Sequence, residues 1–307
     1  MLTPLIGAGV LAITPPEIGW RVLLAIGMLP LLLAVIAWRS LPESPRWLVN
    51  KGRLDEAEKI ASAMESASGD RSRPATTTES VTAPGVDVRP TRFAEMFSKD
   101  YLSRTVLLWI MFGTSYFVVY AFTVWLPTLY VQLGGLPPGR SLLISAINGA
   151  AYVGSGYAIA FLIDRTGRRP YFIFSFALAA TGALLGVLAV LVLGWTSWPT
   201  LFAVTLILAV GIYPINIGCF MYAPELFPTR MRGWATGTGS GIQRLAIAVA
   251  PITVGWILQS SQVKSTGVAA VFGLLCAMAL VGLVAVALLG VETRNRTLEE
   301  TSKPISG

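Results

Sequence analysis

Residues 141–169 read SLLISAINGAAYVGSGYAIAFLIDRTGRR, a long apolar run that ends in a cluster of charges. Its apolar part, residues 141–163, would reach about 34 Å as an α-helix, enough to cross the roughly 30 Å of hydrocarbon in a bilayer. The charged residues that follow are Asp164, Arg165, Arg168 and Arg169. We therefore expect a membrane-spanning helix that meets water at Asp164.

Six more apolar runs of comparable length flank this one. They occupy residues 20–40, 105–131, 170–193, 199–222, 234–258 and 267–291. A shorter run, residues 2–14, would reach only about 20 Å as a helix, so we expect it to be the end of a helix whose beginning lies outside the chain. The pattern predicts an all-α integral membrane helix bundle with about seven full spans and one partial span.

The composition indicates a membrane protein and excludes several kinds of site. Hydrophobic residues make up 54% of the 307 residues and charged residues only 13%, whereas soluble domains carry about 25% charge. The chain has no histidine, which excludes histidine-based triads, metal sites and proton relays. We expect no metal, no cofactor and no enzymatic activity. The net charge of +7 lies in a few loops, which indicates a lipid bilayer and no nucleic acid as the partner.

The distribution of basic residues predicts the orientation of the chain in the membrane. Of the 23 lysines and arginines, 19 lie in the loops that follow the runs ending near residues 40, 163, 222 and 291. Cytoplasmic loops are enriched in lysine and arginine, so we expect these loops and the C-terminus to be cytoplasmic. The expected location is the plasma (cell inner) membrane, with several passes.

We expect four segments along the chain. Residues 1–40 are a remnant of an N-terminal bundle, residues 41–103 a cytoplasmic linker, residues 104–291 a six-helix bundle, and residues 292–307 a cytoplasmic tail. Within the linker, Arg53 to Met64 has the apolar spacing of a short amphipathic helix. The part from Ser66 to Thr91 is rich in Ser, Thr, Pro, Asp and Arg, which predicts a disordered stretch.

Four charged motifs stand in alternate loops. They are PESPRWL at 42–48, DRTGRR at 164–169, PELFPTRMRG at 224–233 and ETRNRTLEE at 292–300. Together, in this order and spacing, they resemble the sugar-porter and metabolite:proton-symporter branches of the major facilitator superfamily. The resemblance covers nearly the whole chain and implies a helix bundle of that superfamily, in truncated form.

The four motifs place carboxylates and guanidinium groups at the same end of neighbouring helices, where arginine can pair with carboxylates in a bidentate manner. The resemblance implies a cytoplasmic gate of inter-helix salt bridges that forms in the outward-facing state and breaks when the inner side opens. Its expected members are Glu43, Arg46, Asp164, Arg165, Arg168, Arg169, Glu225, Arg230, Arg232 and Glu292. The alternative is that these residues are ordinary solvated loop charges.

The resemblance also implies an architecture of twelve helices in two six-helix halves around a site at the middle of the membrane. Residues 2–14 then match the end of helix 5, residues 20–40 match helix 6, and the six later runs match helices 7 to 12. Helices 1 to 4, which hold the family's usual proton-coupling carboxylates, have no counterpart in the chain. We therefore expect full activity to need the missing N-terminal half.

Polar groups inside a span are the default candidates for a substrate site. Arg244 lies near the middle of the run 234–258, where an arginine costs about 3 kcal/mol on insertion scales. A cation at this depth suits an anionic substrate. The alternative is that Arg244 pairs with a carboxylate or with carbonyl groups of the missing half.

Other polar residues recur at helical spacing around this candidate. They are Tyr116, Tyr120 and Thr123 in one run, Asn148, Tyr152 and Ser155 in the next, Tyr213 and Asn216 in a third, and Gln243 beside Arg244. Aromatic rings with amide and hydroxyl groups around a cation suit an aromatic or otherwise unsaturated carboxylate. The alternative is interhelical packing and hydrogen bonding. Gly233, Gly237 and Gly241 predict close helix packing.

We therefore expect secondary active transport of a small organic anion in symport with protons. One alternative is a sugar or polyol symporter of the same fold, although the run 105–131 lacks the paired glutamines that sugar porters carry in helix 7. The other alternative is an inactive fragment of a transporter gene. Replacing Arg244 with a neutral residue would separate the first two, because a neutral substrate has no need of the cation.

Overall fold

The structure, a computed structural model, describes residues 14–43, 53–68 and 92–294, together with Val10, Pro45 and Leu48. Several expectations from the sequence fall largely or wholly outside these residues. They concern the partial span at residues 2–14, Arg46, most of the disordered stretch and the tail beyond Arg294. The chain divides into two compact units, Met1–Val86 and Asp87–Gly307. The boundary between the units falls inside the segment 41–103 that the sequence predicts as a linker.

The first unit contains three described helices, α1 (Pro16–Gly27), α2 (Leu29–Ser40) and α3 (Leu54–Ser68). The run 20–40, predicted as one span, is formed by α1 and α2, which are separated at Met28. Pro30 has no amide hydrogen and cannot donate to the carbonyl four residues earlier, so it interrupts the helix there. Helix α3 lies where the sequence predicts a short amphipathic helix from Arg53 onward. The Arg53 guanidinium pairs with Glu56 at 2.6 Å.

The second unit begins with a short 3-10 helix, Phe93–Phe97, and continues with six long helices. These are α4 (Leu102–Gln132), α5 (Pro138–Thr166), α6 (Arg168–Val187, extended by a π-helical turn at Leu188–Val192), α7 (Trp198–Leu226), α8 (Arg232–Ser260) and α9 (Lys264–Leu289). All six are long and apolar enough to cross a membrane. Each confirms a predicted run, with ends that differ by only a few residues.

Helix α4 forms the centre of this bundle and packs against α5, α7, α8 and α9, whereas α6 packs against α7 and α9. In their most apolar stretches α4 and α7 are 72% and 67% buried, but α5 and α8 are only 22% buried. Most of the surface of α5 and α8 therefore remains uncovered by the other described helices of the unit.

Glycines of the bundle differ in what surrounds them. A Cβ atom added to Gly182 on α6 would collide with the backbone of Leu208, and one added to Gly211 on α7 would collide with the backbone of Ala179. These two glycines let α6 and α7 approach closely. In contrast, nothing in the described part of the chain lies within 4 Å of a Cβ added to Gly233, Gly237 or Gly241. The close packing that their spacing predicts therefore has no partner among the described helices.

Candidate functional site

Helix α8 is attached to the central helix α4 by two tryptophans. The Trp109 indole N–H donates to the Thr238 hydroxyl at 3.2 Å, and the Trp125 indole N–H donates to the Pro251 carbonyl at 3.1 Å. The two contacts lie on either side of Arg244 along α8. They fix the rotation of α8 about its own axis, and thereby the direction in which Arg244 points.

Arg244 is exposed on the side of α8 that the other described helices leave open. It follows Arg232, the first residue of α8, by twelve residues, which places it about 18 Å along the helix. Among the described residues, its guanidinium forms no hydrogen bond and no ion pair. The structure therefore presents an unneutralised cation at the middle of the bundle.

An aromatic wall on α4 and α7 borders α8, where the Phe112 ring would meet a Cβ atom added to Gly239. The Tyr116 ring stacks with the rings of Phe112 and Tyr120, at centroid distances of 6.1 Å and 6.5 Å. Phe220 of α7 packs edge-on against Phe112, with the ring centroids 5.1 Å apart. The Tyr116 hydroxyl donates to the Asn216 carbonyl at 3.3 Å. Tyr120 is 36% exposed and Phe220 is 40% exposed, so the wall has a face that an apolar ring could contact.

A second pair of tyrosines joins the wall from α5 and α7. Tyr152 is exposed, and its ring packs edge-on against the buried Tyr213 at 5.1 Å. Among the predicted substrate residues, Tyr116 and Tyr120 therefore share one stack on α4, Tyr152 packs on Tyr213, and Arg244 lies on the open side of α8.

The three predicted amide side chains are instead buried in helix packing. The Asn148 amide donates to the Thr205 hydroxyl at 3.0 Å, and the Tyr130 hydroxyl lies 3.0 Å from the same oxygen. Asn216 donates back to Ile212 of its own helix at 3.4 Å. Gln243 lies on the buried side of α8. A substrate could reach these amides only if the helices moved apart, and their role at the site stays a prediction.

At the end of the bundle where α5 and α7 end and α6 begins, Arg168 is the centre of a charged network. Its guanidinium donates to Asp164 at 2.6 Å and to both carboxylate oxygens of Glu225 at 3.0 to 3.3 Å. The Glu292 carboxylate accepts the backbone N–H groups of Arg168 at 3.0 Å and Arg169 at 3.1 Å, so it caps the positive end of α6. The network connects α5, α6 and α7 with the segment after α9. We call this end of the bundle the charged end.

The other predicted gate residues have different positions. Arg169 donates to the Ala287 carbonyl at 2.6 Å, and Arg232 donates to the Phe227 carbonyl at 3.3 Å. Arg165 is exposed and has no hydrogen bond or ion pair within the described ranges. Glu43 is exposed in the first unit. Whether these residues act in a gate stays a prediction.

The sequence reasoning missed the partner of Arg230, which is Glu95. The two side chains form a bidentate pair between the short helix Phe93–Phe97 and the turn before α8. They are 135 residues apart, so no local spacing could indicate the pair. Phe93 packs on Trp234 at 5.2 Å, and Phe97 packs on Trp109 at 5.7 Å. The segment before α4 therefore holds the charged-end start of α8 in place.

Replacing Arg168 with glutamine should lower the stability of the bundle by about 1–3 kcal/mol, because it leaves the largely buried Glu225 carboxylate without its cation. The side chains of Arg168 and Glu225 are only 16% and 18% exposed, so solvent replaces little of the lost pairing. The measurement is the midpoint of thermal unfolding in detergent. Arg140→Gln, which removes an exposed arginine at the other end of α5, is the control. Equal midpoints for the two variants would contradict a structural role for the network.

The sequence profile of the family described as "Sugar (and other) transporter" matches residues 1–303. The niacin transporter NiaP of Acinetobacter baylyi is 27% identical over 288 residues, which cover 92% of this chain and 61% of that protein. The putative metabolite transport protein YdjK of Escherichia coli is 29% identical over 315 residues, which cover 98% of this chain and 63% of that protein. The chain therefore spans about three fifths of the length of these curated relatives.

Among solved structures, the chain is similar to the proton:xylose symporter XylE of the major facilitator superfamily, bound to 6-bromo-6-deoxy-D-glucose. The TM-score is 0.72 at 20% identity, over 98% of this chain and 63% of that one. A likeness at this level of identity supports the same fold. The six long helices α4 to α9 and the charged motifs at their ends agree with it.

Proposed function

Because the chain belongs to the sugar (and other) transporter family of the major facilitator superfamily, we propose that it serves the secondary active transport of a small organic anion in symport with protons. Proteins of this family and fold are transporters of sugars and other metabolites, and not enzymes. The chain is accordingly a multi-pass membrane chain.

The observation that carries the proposal is the exposed Arg244 guanidinium at the middle of α8. A cation within the hydrocarbon region is costly unless it has a partner, and the described residues provide none. A substrate carboxylate would supply that partner through a charge-assisted, bidentate hydrogen bond. The rings of Tyr116, Tyr120 and Phe220 lie on α4 and α7, which pack against α8, and they would receive an apolar or aromatic body.

An aromatic monocarboxylate is the substrate that fits these groups best. Its carboxylate would pair with Arg244 while its ring would pack against the Tyr116 and Tyr120 rings. The relative NiaP is named for niacin, which is a pyridine carboxylate, and this supports the same chemical class. The hydroxyl groups of Tyr120 and Tyr152 could equally bind the hydroxyls of a sugar or polyol, which remains the second candidate.

We also assign the charged end to the cytoplasmic side of the plasma membrane. Arg168, Arg169, Arg230 and Arg232 all lie at this end, in agreement with the enrichment of basic residues in cytoplasmic loops. The network around Arg168 would then close or brace the inner side of the transporter. Its rupture would accompany opening toward the cytoplasm, because a bidentate pair has two discrete states, formed and broken.

Uptake by liposomes that contain the protein made from its complete gene tests the proposal. With an imposed inward proton gradient, we expect a labelled aromatic monocarboxylate such as nicotinate or benzoate to accumulate, and a protonophore to abolish the accumulation. Xylose and a linear polyol are the neutral comparisons and should stay at the level of empty liposomes. Accumulation of the polyol without the carboxylates would favour the second candidate instead.

A further inference from the structure

A groove on the outer surface of the second unit lies between α5, α6 and α7, and its volume is about 650 Å³. Its floor on α5 consists of small residues, and its rims are apolar. The main contributors are Ala151, Gly154, Ala158, Leu162, Phe174 and Val210. Leu162, Phe174 and Val210 are exposed, so the groove is open along its side. The residues around Arg244 do not line it, and the groove is distinct from the proposed substrate site.

The length of the groove matches one leaflet of a bilayer. Its lining on α5 runs from Ala151 to Thr166, a distance of about 22 Å along the helix. Half of a bilayer, with its headgroup region, is roughly 20–22 Å thick. A transmembrane helix from elsewhere would need a surface about twice as long. The groove therefore fits a lipid chain that enters from one leaflet better than it fits a helix.

The side chain of Arg165 lies at the end of this groove that is nearest to the charged end of the bundle, which we call the mouth of the groove. Arg165 follows Leu162 by three residues and therefore continues the same face of α5. It is exposed, and within the described part of the chain its guanidinium makes no hydrogen bond or ion pair. The neighbouring Asp164 is already paired with Arg168, and Arg169 is bonded to the Ala287 carbonyl. Arg165 is thus the cation at this mouth that is available to an outside anion.

We propose that the groove binds one acyl chain of an anionic phospholipid, with the lipid phosphate held by Arg165. The apolar rims would cover the chain, and the hydroxyl of Thr166, which lines the same mouth, lies next to the headgroup. An arginine whose aliphatic stem lies along an apolar surface readily reaches the headgroup level. This site is independent of the substrate and of the direction of transport.

Native mass spectrometry of the protein in detergent, with added phosphatidylglycerol or phosphatidylcholine of identical acyl chains, tests the proposal. We expect phosphatidylglycerol to be retained preferentially. Arg165→Gln should weaken its binding about fivefold, which is the contribution of one basic residue near an anionic surface. Ala158→Phe, which fills the groove without changing charge, should weaken the binding of both lipids. Arg140→Gln, the same change at the other end of α5, should leave binding unchanged.

Equal retention of the two lipids by the unaltered protein would overturn the proposal, and so would an equal loss of binding in Arg165→Gln and Arg140→Gln. A third test uses a photo-crosslinker placed at residue 162 in native membranes, where we expect a product heavier by the mass of one phospholipid. A product joined to a second copy of the chain or to another protein segment would show that a polypeptide occupies the groove.

Discussion

Uptake of the carboxylate substrate should fall about 10- to 100-fold when Arg244 is replaced with glutamine. A hydrogen bond to a charged group contributes about 1.5–3 kcal/mol, and each 1.4 kcal/mol corresponds to a factor of ten. The guanidinium is exposed at the middle of α8, so a substrate can reach it directly. The measurement is the initial rate of proton-driven uptake as a function of substrate concentration.

Two control variants make this experiment specific. Arg244→Lys keeps the charge but loses the planar fork of donors, so its uptake should lie between the unaltered protein and Arg244→Gln. Lys264→Gln removes an exposed cation at the start of α9 and should leave uptake unchanged. Normal carboxylate uptake by Arg244→Gln at equal membrane expression would refute the assigned role of Arg244. If the substrate is a neutral sugar or polyol, the lysine variant should offer no rescue, because charge is then not what the site requires.

Gly211→Ala should destabilise the bundle by about 1–3 kcal/mol, the usual cost of overpacking, and toward the upper end of that range. A methyl group at this position would meet the backbone of Ala179 on α6. A backbone cannot rotate aside as the end of a side chain can, so α6 and α7 would have to separate. Gly182→Ala should behave similarly, since its methyl group would meet the backbone of Leu208. The measurement is the midpoint of thermal unfolding in detergent.

The matched control for these glycines is Gly273→Ala on α9. Nothing among the described atoms lies within 4 Å of a Cβ added there, and alanine is a better helix former than glycine by up to about 1 kcal/mol. Gly273→Ala should therefore unfold at the same temperature as the unaltered protein or slightly higher. A similar loss in Gly273→Ala and Gly211→Ala would mean that the close approach of α6 and α7 is not the cause.

The substrate candidates divide according to whether the tertiary packing leaves them accessible. Tyr116, Tyr120 and Thr123 repeat at helical spacing, and so do Asn148, Tyr152 and Ser155, which makes both sets look alike in the sequence. In the structure Tyr120 and Tyr152 are exposed, whereas Asn148 is fully buried against Thr205. Helical spacing identifies residues on the same face, but it contains no information about which neighbouring helix covers that face.

The charged motifs likewise contain some pairs that the sequence indicates and others that only the tertiary structure reveals. The resemblance already names Asp164 and Arg168 as members of an inter-helix network, and the structure pairs them at 2.6 Å. The bond between Arg168 and Glu225 joins α6 to α7, and the pair of Glu95 and Arg230 joins segments 135 residues apart. The sequence analysis names both Arg168 and Glu225 as gate residues. It names Arg230 as well, but nothing in the sequence indicates that Glu95 is its partner.

The sequence alone established the membrane class, the six long spans α4 to α9 and the resemblance to the transporter superfamily. These follow from hydrophobicity, helix length and charge position, which are local properties that a linear pattern contains in full. The tertiary structure was needed to find the tryptophan contacts that orient α8, the exposed position of Arg244, the crossing at Gly182 and Gly211, and the groove above Arg165. Each of these depends on which helix faces are brought together or left open, and that arrangement arises from packing between segments far apart in the chain.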